Sequence, residues 1–456
     1  MTFSAKNLPT GLRLDKDTGI ITGSITTAGT NLVMLIARNA HGTIKREFRI
    51  VVGQQLALTP PMGWNSWYIY YHHVTEAAMR SAADQMIVSG MADYGYQYVN
   101  IDDCWAVQPE QTNAEVGGPV RDANGQILPN KRFPDMKGMV DYIHTKGLKA
   151  GIYTSPGPKT CAGFEGSWEH EAQDARTFGD WGFDFLKYDW CTYGKIYHDG
   201  DPRLTNDVPP QRAEDLTGYK FPYEMMSREL RKLDRDVVFN LCQYGMGRVW
   251  QWGGDVGNCW RTTGDLGAAR GDKLPGFYSI AFSNAQHWQY ARPGAWNDPD
   301  YILIGWIGTN HGKNFKHTTL TPDEQYSYMS MWALMASPLI FSGDMTQLDA
   351  FTLNVLCNAE VIDVDQDPLG RQAKILRQTG SEFVLVKELE DGSKAVGLFN
   401  LGEQPARLAV SWAELGVSGK QQVRDLWRQK ELGKFKQEFQ AEVPRHGVVF
   451  VRLSSK

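Results

Sequence analysis

The sequence has no apolar run approaching the ~18 residues that a membrane-spanning helix requires. Met1 to Leu14 is largely polar and lacks the apolar centre of a secretory leader. Neither sign of charge dominates: 47 Lys and Arg face 52 Asp and Glu, a net charge of -5 over 456 residues. With no basic run, that balance argues against a nucleic-acid partner. Metal-ligand spacing is missing as well. There is no H-E-x-x-H and no Cys/His cluster, and the ten histidines are scattered, so neither a metal nor a cofactor is expected. Aromatic residues, by contrast, are plentiful: 12% of the chain, 15 Trp among them. A large core accounts for most such rings. Aromatic faces also pack on the C–H faces of pyranose sugars, and composition does not separate the two uses.

Three styles of sequence follow one another. Over residues 8–52, short β-type runs alternate with turn signals such as Asp17-Thr18-Gly19 and Asn39-Ala40-His41-Gly42. Leu32 to Ile36 suits a buried strand, and Phe48, Ile50 and Val51 suit a half-buried one. The stretch LPTGLRLDKDTGIITGSITTAGT resembles the C-terminal part of a bacterial immunoglobulin-like module. Such a sandwich takes about seven strands and about 100 residues, and roughly half of that fits before Pro60. The chain is therefore expected to begin inside a module, with Met1 an internal start. The missing leader then says little about location.

From residue 56 short apolar runs alternate with helical segments, the signature of βα units. Barrel strands are expected near Leu58–Trp64, Tyr98–Asp102, Lys149–Tyr153, Phe185–Asp189, Val237–Leu241, Cys259–Thr262, Gly294–Asn297 and Leu339–Ser342. Eight such units make an α/β protein of the (β/α)8 barrel type. After Gly370 only short strands and turns remain, and they predict a C-terminal antiparallel β-sandwich. The expected divisions are 1–55, a partial immunoglobulin-like β segment; 56–370, the barrel; and 371–456, the sandwich.

Barrel sites lie at the C-terminal ends of the strands. The polar residues there are dense: Trp64, then Asp102 and Asp103, then Tyr153, Lys187 with Asp189, Gln243, Arg261 with Asp265, and the group Trp296, Asn297, Asp298 and Asp300. Seven polar strand ends in succession point to a polyhydroxylated ligand. Asp189 ends an apolar strand two residues after Lys187, so alternation puts both on one face. The ammonium would favour the ionised carboxylate, which suits a nucleophile. A plain Lys–Asp ion pair is the alternative. Asp265 follows a glycine on a loop. Away from a fixed cation it can keep a raised pKa and act as a general acid, the alternative being a helix cap.

The stretches TPPMGWNSW, YVNIDDCW, KTCAGFEGSW, DWGFDFLKYDWC, CWRTTGDL, PGAWNDPD, MWALMASPLIFSGD and DQDPLGRQ occur in this order. Over about 400 residues from Leu56 they closely resemble family 27 glycoside hydrolases, the α-galactosidase and α-N-acetylgalactosaminidase group. The resemblance implies that Asp189 is the nucleophile and Asp265 the acid/base of a retaining double displacement. It implies that Asp102 and Asp103 bind the 4- and 6-hydroxyls of galactose, and that Trp64, Tyr153, Lys187 and Arg261 line the sugar pocket. Where many relatives carry C-E-W, with Glu at the 2-hydroxyl, this chain has Cys242-Gln243-Tyr244. Gln243 thus leaves the C2 substituent open, and with it α-N-acetylgalactosaminidase, β-L-arabinopyranosidase or isomalto-glucan activity. A non-catalytic carbohydrate-binding protein is the alternative from another class. Cys161 with Cys191, and Cys242 with Cys259, match two family disulfides. Both would place maturation in an oxidising compartment, the periplasm or the cell exterior. The implied partner is an oligosaccharide or polysaccharide ending in α-galactose, with no nucleic acid and no membrane span. Oligomeric state is not legible in the sequence.

Overall fold

The computed structural model describes residues 1–197, 216–267 and 273–455. Eight short parallel strands form its centre: β6 (Met62–Asn65), β7 (Tyr98–Asn100), β8 (Lys149–Thr154), β9 (Phe185–Asp189), β10 (Val238–Cys242), β11 (Cys259–Arg261), β12 (Trp296–Asp298) and β15 (Leu339–Phe341). They follow one another in the sheet in chain order from β6 to β12, with β15 beside β6. The two free edges meet at Ile302. Its amide donates to the Ile340 carbonyl (2.7 Å), and its carbonyl accepts from the Ser342 amide (3.1 Å). The sheet is therefore a closed (β/α)8 barrel, and all eight strands lie where the sequence places them.

The strands are almost wholly buried, as expected for parallel strands covered by helices on one side and packed on themselves on the other. Helix Glu76–Val88 shows how the covering layer forms. Thr75 caps its start by accepting from the Ala78 amide (3.2 Å), and Met79, Ala82, Ala83 and Met86 face inward. Helix Pro322–Leu334 opens with a full capping box between Thr321 and Glu324. Between β12 and β15 a hairpin of β13 (Trp306–Thr309) and β14 (Asn314–His317) rises from the barrel.

The C-terminal region is a sandwich. A six-stranded antiparallel sheet contains β16 (Lys374–Thr379), β17 (Glu382–Glu388), β18 (Lys394–Asn400), β23 (Val448–Ser454), β20 (Gln421–Asp425) and β21 (Lys430–Phe435), in that order. Facing it are β19 (Ala406–Ser411) and β22 (Glu438–Val443). Val384, Val396, Leu398, Val410, Trp412, Phe439 and Val451 make a core of their own between the two layers.

At the other end, β1 (Thr2–Lys6), β4 (Gly29–Asn39) and β5 (Gly42–Val52) form a three-stranded sheet, with β2 (Leu12–Leu14) and β3 (Ile21–Gly23) as a separate hairpin. Here the expected burial fails. Only Val33 is buried in β4, while Leu32, Phe48 and Val51 are 52%, 43% and 44% exposed. Alternating apolar residues mark a strand, but a single layer has no facing sheet to cover them.

Candidate active site

Asp189 is the last residue of β9, and β10 lies alongside in parallel with Cys242 at the same level. The carboxylate is buried, and a phenol holds each of its oxygens. Tyr244 donates to Oδ1 (2.5 Å), and Tyr153, from β8, donates to Oδ2 (3.1 Å). Burial pushes the Asp189 pKa up to about 6, against the lowering pull of Lys187; the nearby charge of Asp265 raises it and the Tyr244 bond lowers it. The ammonium favours the ionised form, as the sequence suggests, but burial outweighs it. Lys187 itself makes its ion pair with Asp102, not with Asp189.

Lys187 Nζ lies 2.9 Å from Asp102 Oδ2, and its ammonium stands over the rings of Tyr153 (5.2 Å) and Tyr301 (5.1 Å). The same Asp102 oxygen accepts from Asn65 Nδ2 (3.0 Å) and the Tyr301 hydroxyl (3.1 Å). Three elements of the barrel mouth thus converge on one carboxylate. Its neighbour Asp103 turns the other way. It accepts from Thr160 Oγ1 (2.7 Å) and from the amides of Cys104 (2.7 Å) and Ala162 (2.9 Å), gripping the loop that carries Cys161. Despite these donors, burial pushes its pKa up to about 7. Trp64 stands on β6, its indole N–H donating to the Gly343 carbonyl (2.8 Å).

Asp265 occupies the opposite side of the mouth. Its side chain keeps 46% of its surface in contact with solvent, and Oδ1 accepts from Arg261 Nη2 (3.2 Å). The expected absence of a cationic partner is thus corrected. Its pKa is nonetheless raised, first by the desolvation that the surrounding walls of the mouth impose, with Arg261 opposing the rise and Asp300 adding to it. Arg261 is divided among several acceptors. It pairs with Asp300 Oδ1 (3.2 Å) and donates to the Gly264 carbonyl (2.8 Å), which leaves Asp265 only a share of its charge. Asp300 accepts from the Tyr68 hydroxyl (2.8 Å) and the Leu266 amide (2.8 Å), tying the Asp265 loop to the segments that follow β6 and β12. Beyond Tyr68, Tyr71, Trp67, His72 and His311 make a chain of ring contacts at the rim, with the two imidazoles stacked at 5.6 Å.

Cys161 and Cys191 form a disulfide beside Asp189, as the resemblance implies. The second expected bridge is absent: Cys242 and Cys259 are free buried thiols. Register explains it. Cys259 is level with Asn240, two residues before Cys242, and accepts from the Asn240 amide nitrogen (3.1 Å). The two sulfurs therefore stand at different heights on neighbouring strands. Gln243 is fully buried, with its Nε2 on the Tyr219 carbonyl (2.7 Å). The turn after β10 instead sends Tyr244 to the carboxylate. Sequence reasoning missed Tyr244 and Tyr301. Tyr244 lies past the strand end, where alternation no longer assigns a face. Tyr301 immediately follows PGAWNDPD, and that position was its one available signal.

A cleft of about 440 Å³ opens at the other end of the barrel, near Leu56, Asn258 and Ala295. Its lining holds Arg231, Arg235 and Arg292 but only one carboxylate, Asp236. Asp102, Asp189, Asp265 and Asp300 lie instead at the C-terminal mouth.

A (β/α)8 barrel carrying buried and half-open carboxylates among phenols, Lys187 and Arg261 at that mouth has the features of a glycoside hydrolase. The comparisons make the assignment specific. The family model described as alpha galactosidase A matches residues 59–367, and that of the alpha galactosidase C-terminal beta sandwich domain matches 379–453. An Ig-domain model matches residues 1–53. Alpha-galactosidase 2 of Arabidopsis thaliana is 36% identical over 413 residues, covering 90% of this chain and 92% of its own. Alpha-galactosidase A of Cellvibrio japonicus is 35% identical, covering 88% and 94%. A solved Bacteroides fragilis structure, described as a candidate alpha-galactosidase/melibiase, superposes with a TM-score of 0.87 at 37% identity, covering 99% of this chain and 91% of that one. The chain belongs to the alpha-galactosidase family and is a glycoside hydrolase of that type.

Proposed function

We propose that the protein hydrolyses terminal α-D-galactosyl residues of oligosaccharides or polysaccharides with net retention, Asp189 acting as nucleophile and Asp265 as acid and base. The observation that carries this reading is the unequal setting of the two carboxylates. Asp189 is buried and held by two phenols at the end of a rigid strand. Asp265 is on a solvent-open loop with a raised pKa. Two carboxyls whose environments differ in this way take different roles.

In the first step Asp189 attacks the anomeric carbon, and Asp265 protonates the departing glycosidic oxygen. In the second, Asp265 takes a proton from water as the glycosyl–Asp189 bond breaks. Trp64, Asp102, Asp103, Tyr153, Lys187, Gln243 and Arg261 are assigned to the sugar site. Of these, Asp102 is already hydrogen-bonded to Lys187 and Tyr301, a polar cluster suited to sugar hydroxyls. Gln243, with its amide turned to Tyr219, leaves the C2 substituent to the substrate panel below. The disulfide supports maturation in an oxidising compartment, the periplasm or the cell exterior.

Initial rates on p-nitrophenyl α-D-galactopyranoside, α-N-acetylgalactosaminide, β-L-arabinopyranoside and α-glucoside test the specificity. Proton NMR of the first-formed sugar anomer tests retention. A dominant rate on the α-galactoside with release of α-galactose is expected. Release of β-galactose would exclude the double displacement.

A further inference from the structure

We infer that Tyr244 is a positioning residue for Asp189, holding the carboxylate ionised and aimed through a hydrogen bond that this chain builds from the turn after β10. The inference rests on the reading of Asp189 as nucleophile.

The placement is unusual for a tyrosine. Tyr244 has φ of 57° and Gly245 has φ of 85°, so two successive left-handed residues reverse the chain directly after the strand. A tyrosine is unfavourable in that conformation. The reversal is held by the Gly245 amide on the Arg261 carbonyl (3.0 Å) and the Met246 amide on the Gln243 carbonyl (3.0 Å). Its result is to direct Gln243 into the protein and to bring the Tyr244 hydroxyl, fully buried, to 2.5 Å from Asp189 Oδ1. The same hydroxyl lies 3.5 Å from Cys161 Sγ, as the Tyr153 hydroxyl lies 3.2 Å from Cys191 Sγ. Each sulfur of the disulfide thus backs one of the two phenols that hold the nucleophile.

A phenol that donates to a carboxylate favours the ionised form. Without it, a wholly buried Asp189 would hold its proton to higher pH. The other groups facing Asp189 are Tyr153 from β8, Lys187 from its own strand, Asp102 from the loop after β7, Cys242 from β10, Tyr223 from the helix Thr217–Leu230, and Asp265 from the loop after β11. Lys187 is paired with Asp102 and stands over the Tyr301 ring, and Arg261 lies 6.0 Å from the Tyr244 ring. Among the described residues, only Tyr244 and Tyr153 donate directly to the carboxylate. Tyr153 donates to Oδ2, and among the described residues Tyr244 is the one donor to Oδ1.

The test is the pH dependence of kcat/KM of the full chain on p-nitrophenyl α-D-galactopyranoside, comparing the parent with Tyr244→Phe. The expected result is a loss in kcat of roughly 10- to 100-fold, KM within about threefold, and an acid limb displaced to higher pH. A purely structural role would lower the rate without moving that limb. Replacement of Tyr244 by 3-fluorotyrosine, a more acidic phenol of nearly the same shape, should move the limb to lower pH and serves where the Phe variant folds poorly. An unmoved acid limb in both variants overturns the proposal. Asp189→Gly with added azide separates this outcome from failure of the underlying reading. If that variant is inactive and azide restores turnover to a β-galactosyl azide, the nucleophile stands whatever Tyr244 does. If it keeps its activity without azide, the nucleophile reading falls and takes the proposal with it.

Discussion

The two sides of the barrel mouth are built differently. On the β8–β9 side, Asp189 ends a strand, is wholly buried, and lies against a disulfide and two phenols. On the β11–β12 side, Asp265 is on a loop, 46% exposed, and shares a guanidinium with Asp300 and two backbone carbonyls. A covalent bond braces the first side, and a polar network that can rearrange one contact at a time supports the second. A group that must attack from one position gains from fixity. A group that gives and then takes a proton gains from contact with water.

Asp189→Asn is the strongest way to break this comparison. It should lower kcat/KM by roughly 10⁴-fold or more, read as initial rates on the aryl galactoside. The same change should raise the melting temperature at pH 7. Burial lifts the folded-state pKa of Asp189 to about 6, above the roughly 3.9 of an unfolded aspartate. The contribution of this group is therefore most favourable at low pH and is lost as pH rises between those two values. Asp265→Asn should cost roughly 10²- to 10⁴-fold with natural aglycones, far less with a dinitrophenyl leaving group that needs no proton, and should remove the alkaline limb of the pH–rate profile. Equal losses on both substrates would remove Asp265 from the acid role. Replacing Cys161 and Cys191 together by Ser should cost roughly 2–4 kcal/mol in denaturant unfolding, with a larger proportional loss of activity than a stability effect elsewhere would produce. The acid limb of kcat/KM should be centred at about 6, because protonated Asp189 cannot attack; a limb near pH 4 would mean that burial does not set it. The smallest effect is a count: a thiol reagent should find four free cysteines in the denatured, unreduced protein, six in the sequence less the two bridged. Two would restore the Cys242–Cys259 bridge and make the two sides alike.

The barrel was legible in the sequence because each strand is a short apolar run ending in polar residues, and burial of parallel strands demands that pattern. Asp189, Lys187 and Asp102 were legible for the same reason, being placed by alternation or at strand ends. What was not legible depends on distances across the mouth. Lys187 and Asp189 share a strand face, yet the ammonium reaches across to Asp102, a partner that spacing along one strand cannot reveal. The Cys242–Cys259 expectation failed on register, which two separate segments do not specify by themselves. Leu32 and Phe48 misled because apolar alternation reports a preference for burial, whereas burial itself needs a second layer.

The closure at Ile302 bears on how the mouth breathes. Along β9 and β10 five residue pairs are in register, from Phe185 with Val238 to Asp189 with Cys242. Between the segment after β12 and strand β15, where the ring closes, the bridge is the one residue Ile302 against Phe341. This seam is the thinnest part of the wall, and local opening should start there. Tyr301, the residue before it, reaches Asp102 across the mouth. Opening the seam therefore withdraws a hydrogen bond from Asp102. By linkage, a ligand that holds Asp102 and Tyr301 in place should slow deuterium uptake at the Ile302 and Ser342 amides, two backbone positions that no sugar needs to touch.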